Sequence, residues 1–311
     1  MGLCPRFQYL RRGQLVWRRQ RGWLAQTEHL APLSRCLPVL GLITLLAACS
    51  KSPLPDQPPE KPLRVVSLDY CADQYLLQLA DREQILALSP DATQTFSYLR
   101  EQAQGIPTVR AVAEDVLNLD PDLVVRSYGG GASAPAFFAR AGIPVVQLPW
   151  IQTVDGDEDG SIPAALRLAA AHLHQRERGE VLIAEFRRRL AALRATSPGG
   201  TVLYMSAGGY TSGPDTLIDD IIASAGLTNY ESRQGWHPLP LEALVYREPD
   251  RVGAAFFRSV NDQQQYWSAA RHPLARSLRD RRGVLLDGAS TACGGAFIAD
   301  AVQALQGEVL P

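Results

Sequence analysis

One phrase, Glu-x-[Val/Leu]-[Leu/Val]-x-x-x-Pro-Asp-x-Val, stands twice in this chain, as Glu114 to Val124 (EDVLNLDPDLV) and as Glu242 to Val252 (EALVYREPDRV). In each copy the spacing predicts a short helix that begins at the glutamate and stops before Pro-Asp. Proline has no N–H to give a helix and pushes the residue before it out of the helical region. A β-branched run follows, so the chain re-enters a strand. Two halves built alike, each presenting a glutamate at a helix start, suggest two lobes that grip something between them and dock on a partner through both glutamates.

The rest of the chain fits two such lobes. Strand Arg64 to Leu68, a helix near Asp73 to Ala80, strand Ile85 to Ser89, the Glu114 helix, strand Leu123 to Val125, a helix from Pro135 to Ala141 ended by Gly142, and strand Pro144 to Leu148 make the first. The second has strand Thr201 to Met205, a helix Thr216 to Ala225 with Asp215 as expected N-cap and Gly226 as C-cap, and the Glu242 helix. Strand Arg251 to Phe256, a helical stretch around Gln263 to Ala270, strand Val284 to Asp287 and a last helix near Phe297 to Leu305 complete it. This β-α alternation predicts an α/β fold, each lobe a mostly parallel sheet flanked by helices. Between them Glu177 to Ala195 (ERGEVLIAEFRRRLAALRA) carries Leu182, Phe186, Leu190 and Leu193 on one stripe and no breaker. A helix of that length spans roughly 30 Å and resists wide hinge motion. The expected division is an N-terminal lobe over 63–150, a connector over 151–200 containing helix 177–195, and a C-terminal lobe over 201–311, with the ligand cleft between the lobes.

The first 35 residues carry seven arginines against one acid, Glu28. An uncharged run from Cys36 to Ala48 follows, too short for the roughly 20 residues of a membrane-spanning helix. Residues 1–49 therefore read as an export signal. Its end, Leu46-Ala47-Ala48-Cys49, resembles the bacterial lipoprotein box, and the resemblance implies that Cys49 is acylated and becomes the new N-terminus, anchoring the protein to a lipid bilayer. The alternative is an ordinary cleavable signal whose small residues happen to precede a cysteine. Either way the chain is exported, to the periplasmic side of a bacterial membrane. Ser50 is not the aspartate that marks inner-membrane retention in similar lipoproteins, and inner and outer membrane both stay open. Ser50 to Pro62 (SKSPLPDQPPEKP) is a semi-extended tether. With the signal's arginines set aside the chain is acidic, which argues against a nucleic-acid partner.

Beyond Cys49 only Cys71 and Cys293 remain. In an oxidising compartment two thiols can pair. Two inert, partly buried thiols, or a thiolate touching a bound metal complex, are the alternatives, and separation in sequence does not decide among them.

The lipobox, RVVSLDYCADQYLLQLA, the Glu114 phrase, the long connector, GGYTSGPDTLIDDIIASAGLTNY, the Glu242 phrase and CGGAFIADAVQAL stand in an order that resembles the helical-backbone (class III) substrate-binding proteins of ABC importers for iron complexes and vitamin B12. The resemblance covers nearly all of Leu63 to Leu305. It implies a receptor, not an enzyme and without cofactor of its own, that captures a metal chelate and hands it to an ABC permease dimer with a cytoplasmic ATPase. In that family a glutamate at a helix start in each lobe docks in arginine pockets of the permease; the matching positions are Glu114 and Glu242. A tryptophan six residues before the second glutamate lies against the corrin ring, which points to Trp236. Further cleft candidates, each after a predicted strand, are Tyr70, Tyr128 in SYGGGAS, Tyr210 in GGYTSG, Arg258 in FFRS and Cys293. A monomer is expected. The family often has tryptophan shortly before CGG, where this chain reads Ser290-Thr291-Ala292, so a ferric siderophore or haem stands beside a corrinoid as cargo.

Two other functions are conceivable for such a chain. Capture of a bare metal ion needs clustered ligands, and the chain after the signal offers only His172, His174, His237 and His272. His172 and His174, two apart on an expected helix, point to different sides. A chelatase or reductase on the same scaffold would need a motif, and no nucleophile elbow, phosphate loop or dinucleotide fingerprint occurs; Gly129-Gly130-Gly131 has the wrong continuation. The acids of VDGDEDGS (Asp155, Asp157, Glu158, Asp159) read as a solvated loop.

Overall fold

The computed structural model describes residues 63–255, 268–284 and 286–309. The signal, Cys49, the tether, Arg258 and most of the expected helix Gln263 to Ala270 lie outside the described residues; Ala269–Arg271 forms a single 3-10 turn.

The first lobe holds β1 (Val65–Ser67), β2 (Ile85–Ala87), β3 (Leu123–Arg126) and β4 (Val145–Gln147), all parallel in the order β2-β1-β3-β4. The second has β5 (Thr201–Ser206), β6 (Tyr210–Ser212), β7 (Thr228–Asn229), β8 (Trp236–Pro238), β9 (Arg251–Ala255) and β10 (Gly283–Val284). Four of these form a parallel sheet in the order β10-β9-β5-β7, while β6 and β8 pair antiparallel as a separate ribbon. Counted from the leading strand of each lobe, the two parallel sheets have one strand order.

The repeated phrase explains part of this likeness. Its helices are α2 (Ala113–Leu117) and α7 (Leu241–Tyr246), each beginning one residue before the glutamate rather than at it. The aspartate of Pro-Asp then reaches the leading strand. Asp122 accepts the N–H of Arg64 at 2.9 Å, and Asp250 accepts that of Thr201 at 2.7 Å. Each phrase thus ends one helix and satisfies the first free donor of its own sheet.

Successive strand residues face opposite sides, and the two sides bury different cores. Val65, Leu123 and Val125 of the first lobe share one continuous core with Val202 and Tyr204 of the second. Their neighbours Val66 and Val124 pack outward on Val116 and Phe138, as Leu203, Met205 and Val252 pack on Leu244 and Leu278. Sheets buried on both faces are what all-parallel strands require. The shared core passes through α4 (Ile162–His172) and α5 (Arg176–Arg194), which join the lobes. On α5 the inner face is Gly179, Ile183, Phe186 and Leu190, whereas Leu182 and Leu193 of the expected stripe lie at its margin. A Cβ on Gly179 would stand 2.6 Å from that of Ala170, so glycine here lets α4 and α5 touch. Among the described residues no helix is long and apolar enough to cross a membrane.

The remaining helices are α1 (Tyr70–Leu79), α3 (Ala134–Arg140), α6 (Leu217–Ser224), α8 (Pro273–Arg282), α9 (Ala289–Ala292) and α10 (Ile298–Gln306). The cap of α6 is Thr216, whose hydroxyl accepts the N–H of Asp219 at 3.2 Å, not Asp215, which sits before it at φ 62°. His174 lies past the end of α4 at φ 60° instead of on a helix with His172. The VDGDEDGS segment is not simply solvated, because Asp155 and Asp157 are held by Arg187 at 2.9 and 3.0 Å, and Val154 donates to Asp220.

Candidate functional site

The C-terminal ends of β1, β3 and β4 in one lobe face the β6-β8 ribbon, the start of α6 and the α9 segment of the other. Between them lies a cleft of about 450 Å³. Tyr70, Tyr128 and Trp150 project from the first lobe; Trp236, Thr216 and the Thr291 to Gly294 segment come from the second. Such a position, outside the carboxyl ends of parallel strands, is where open α/β sheets take ligands.

One carboxylate builds the first-lobe wall. Asp69, 3 % exposed, caps α1 with one oxygen, accepting the N–H of Ala72 at 2.9 Å. Its other oxygen accepts the N–H groups of Ser127, Tyr128 and Gly129 at 2.7, 2.9 and 2.8 Å. The loop carrying Tyr128 is therefore clipped to the helix carrying Tyr70, and the two rings meet edge to face at 6.0 Å. Gly129 permits the approach, since a Cβ there would fall 2.2 Å from the Leu68 carbonyl oxygen. Arg126, buried, donates to the carbonyls of Gly131 and Tyr128 and supports the same loop from behind. Burial raises the phenol pKa of both Tyr70 and Tyr128, and the charge of Asp69 adds to this, so both stay protonated hydroxyls.

In the second lobe Trp236 is half exposed and stands edge to face on buried Tyr204, centroids 5.9 Å apart. Of the remaining candidates, Cys293 lines the cleft but is bonded to Cys71, with Cα atoms 5.4 Å apart. No thiolate is free there to touch a metal. Tyr210, half exposed on β6 opposite Pro238, stays outside the lining. Glu114 and Glu242 are away from the cleft, exposed, with no ion-pair partner among the described residues. Trp150, 78 % exposed in the cleft, was missed in the sequence, although it follows β4 as Tyr70 and Tyr128 follow β1 and β3. Asp69 was missed too. Among the described residues no three His, Cys, Asp or Glu side chains group to hold a metal ion.

One turn into α1, Asp73 is fully buried without a cation, its carboxylate bound by the N–H and hydroxyl of Ser89 at 3.0 and 2.6 Å. Burial outweighs those hydrogen bonds and raises its pKa from 3.8 to about 7. The folded protein therefore holds a proton between about pH 4 and 7 that the unfolded chain has released. Stability from this proton is complete below the unfolded value and is lost as pH rises through about 7, on the order of 2–4 kcal/mol. Asp73→Asn mimics the protonated acid, so urea titrations at pH 5 and pH 8 should show the variant gaining on the wild type with pH; parallel pH profiles would refute the assignment.

The sequence description "Periplasmic binding protein" matches residues 65–254. Two cobalamin-binding proteins, from strains R1 and NRC-1 of Halobacterium salinarum, are 30 % identical over 208 residues, covering 62 % of this chain and 53 % of theirs. The chain thus spans about half the length of the curated relatives it matches. A periplasmic heme binding protein of Pseudomonas aeruginosa superposes with a TM-score of 0.60 at 23 % identity, covering 80 % of this chain and 95 % of that one. A periplasmic vitamin B12 binding protein of Vibrio cholerae gives 0.56 at 17 % identity, covering 78 % and 94 %. At these identities the structural likeness speaks for the fold.

Proposed function

Because the chain belongs to the periplasmic binding protein family, we propose that it is a lipid-anchored extracytoplasmic receptor that captures a corrinoid in the cleft and delivers it to an ABC permease. The observation that carries this reading is the cleft lining, in which Tyr70, Tyr128 and Trp150 of one lobe and Trp236 of the other offer ring faces and the two tyrosines add hydroxyls. Aromatic rings suit a flat, largely apolar macrocycle. The charge on the described lining is that of Asp215, which repels the propionates of haem and the anionic donors of ferric siderophores. A corrinoid instead presents neutral amides, which accept hydrogen bonds from protonated phenols. Those same raised phenol pKa values oppose phenolate ligation of ferric iron. The cobalamin-binding relatives point the same way.

Acylation at Cys49, as the lipobox implies, would keep the receptor beside its permease, and Glu114 and Glu242 would dock it there. The test is tryptophan-fluorescence titration of the full-length protein in detergent with cyanocobalamin, cobinamide, haem and a panel of ferric siderophores. Saturable quenching by the corrinoids at sub-micromolar concentration is expected; saturation by haem or a siderophore alone overturns the corrinoid reading. In the same titration, Trp236→Ala and Trp150→Ala should each weaken binding by about 1 kcal/mol or more, roughly fivefold. An unchanged dissociation constant would remove that ring from the site.

A further inference from the structure

We infer that the Cys71–Cys293 disulfide is a thiol-exchange site, open to a small dithiol through the cleft, and that its state sets how far the two lobes can part. Cys71 is the second residue of α1 in the first lobe and Cys293 follows α9 in the second, 222 residues away. The bond therefore ties lobe to lobe where the cleft is lined by Tyr70, Thr291, Ala292 and Gly294. The chain itself passes between the lobes through α4 and α5. The other cross-ties described are non-covalent: Tyr98 stacks on Phe297 at 4.5 Å and donates to Asp300, which Arg189 of α5 also holds at 2.6 Å. Opening the disulfide leaves the lobes joined by the connector and by contacts that can break and re-form.

Access favours attack at one sulfur. Cys71 is partly exposed whereas Cys293 is 5 % exposed. A thiolate from the dithiol attacks the Cys71 sulfur, forming a mixed disulfide and expelling Cys293 as thiolate. The second thiol of the reagent then attacks its own sulfur in the mixed disulfide and releases Cys71. Two electrons pass to the cystine, the reagent leaves as its internal disulfide, and its two protons end on the two cysteine thiolates. Small dithiol reagents and the dithiol sites of extracytoplasmic thiol–disulfide exchange proteins share this chemistry; free access through the cleft favours the small reagent.

The inference rests on the two-lobed geometry and not on which ligand is bound, so it is tested without ligand. Full-length protein would be treated with dithiothreitol, its thiols counted by maleimide labelling and intact mass, and hydrogen exchange followed by mass spectrometry beside untreated protein and the Cys71→Ser/Cys293→Ser variant. Expected is exchange at least about tenfold faster in 126–131, 149–151, 213–218 and 289–295, with β1, β3, β5 and β9 still protected, in reduced protein and variant alike. Unchanged exchange in those segments, in reduced protein or in the variant, overturns the inference. A uniform rise through all strands overturns it as well, because the bond would then be a general stabiliser rather than a control on the cleft.

Discussion

Replacing Glu114 and Glu242 together by alanine should abolish uptake of labelled cyanocobalamin by cells while the ligand affinity of the purified receptor stays within about twofold. Neither glutamate lines the cleft, and both stand exposed on helices that pack the outer faces of their lobes, through Val116 on one side and Leu244 on the other. A carboxylate so placed can enter an arginine pocket bidentately, and truncating one partner of a buried charge pair costs about 2–5 kcal/mol. Two such sites on one chain also reinforce each other, since docking of the first raises the effective concentration of the second. Each single substitution should therefore reduce uptake strongly, and the double one should leave none measurable. Exposed Val112 beside α2, and Val245 and Tyr246 at the end of α7, add apolar surface next to each carboxylate. Uptake that survives the double substitution would reduce the glutamates to complements of their helix N-termini, worth about 0.3–1 kcal/mol each.

The repeated phrase was legible because its chemistry is local: proline ends a helix wherever it stands, and a β-branched run after it extends. Its aspartates were legible only as punctuation. That Asp122 and Asp250 reach back to Arg64 and Thr201 is a contact between residues 58 and 49 apart, which no local pattern encodes. Helix α4 was expected only as the helix under His172 and His174, without bounds, and His174 falls past its end. The β6-β8 ribbon escaped because its strands, YTS and WHP, stand among glycines and prolines that read as loop. On α5 Phe186 and Leu190 of the expected stripe are buried, while Ile183 stands in the place of Leu182 and Gly179 sets the helix against α4. Trp150 could have been found by extending to β4 the rule already applied to β1 and β3. Asp69 offered one signal, an acid three residues before an alanine in a helical run, and that signal spoke for its cap and not for its clip.

The clip makes the second strong prediction. Asp69→Ala should lower stability by about 4–6 kcal/mol, because it strands four buried or half-buried N–H groups, of Ala72, Ser127, Tyr128 and Gly129, each worth about 1–3 kcal/mol when unsatisfied and partly recovered by water. Ligand binding should fall by at least about a hundredfold at a temperature where the variant remains folded, since both cleft tyrosines lose their fixed positions. A purely structural loss and a positioning loss separate in a double-mutant cycle. In wild-type background Tyr128→Ala should weaken binding; in the Asp69→Ala background it should cost almost nothing further, because the ring is no longer held where the ligand meets it. Asp69→Asn keeps one acceptor but sets an amide N–H₂ against the N–H donors on one side, and should fall between alanine and the wild type in both stability and affinity. Additive losses in the cycle would mean that Tyr128 finds its place without Asp69, and that the carboxylate serves the cap of α1 alone.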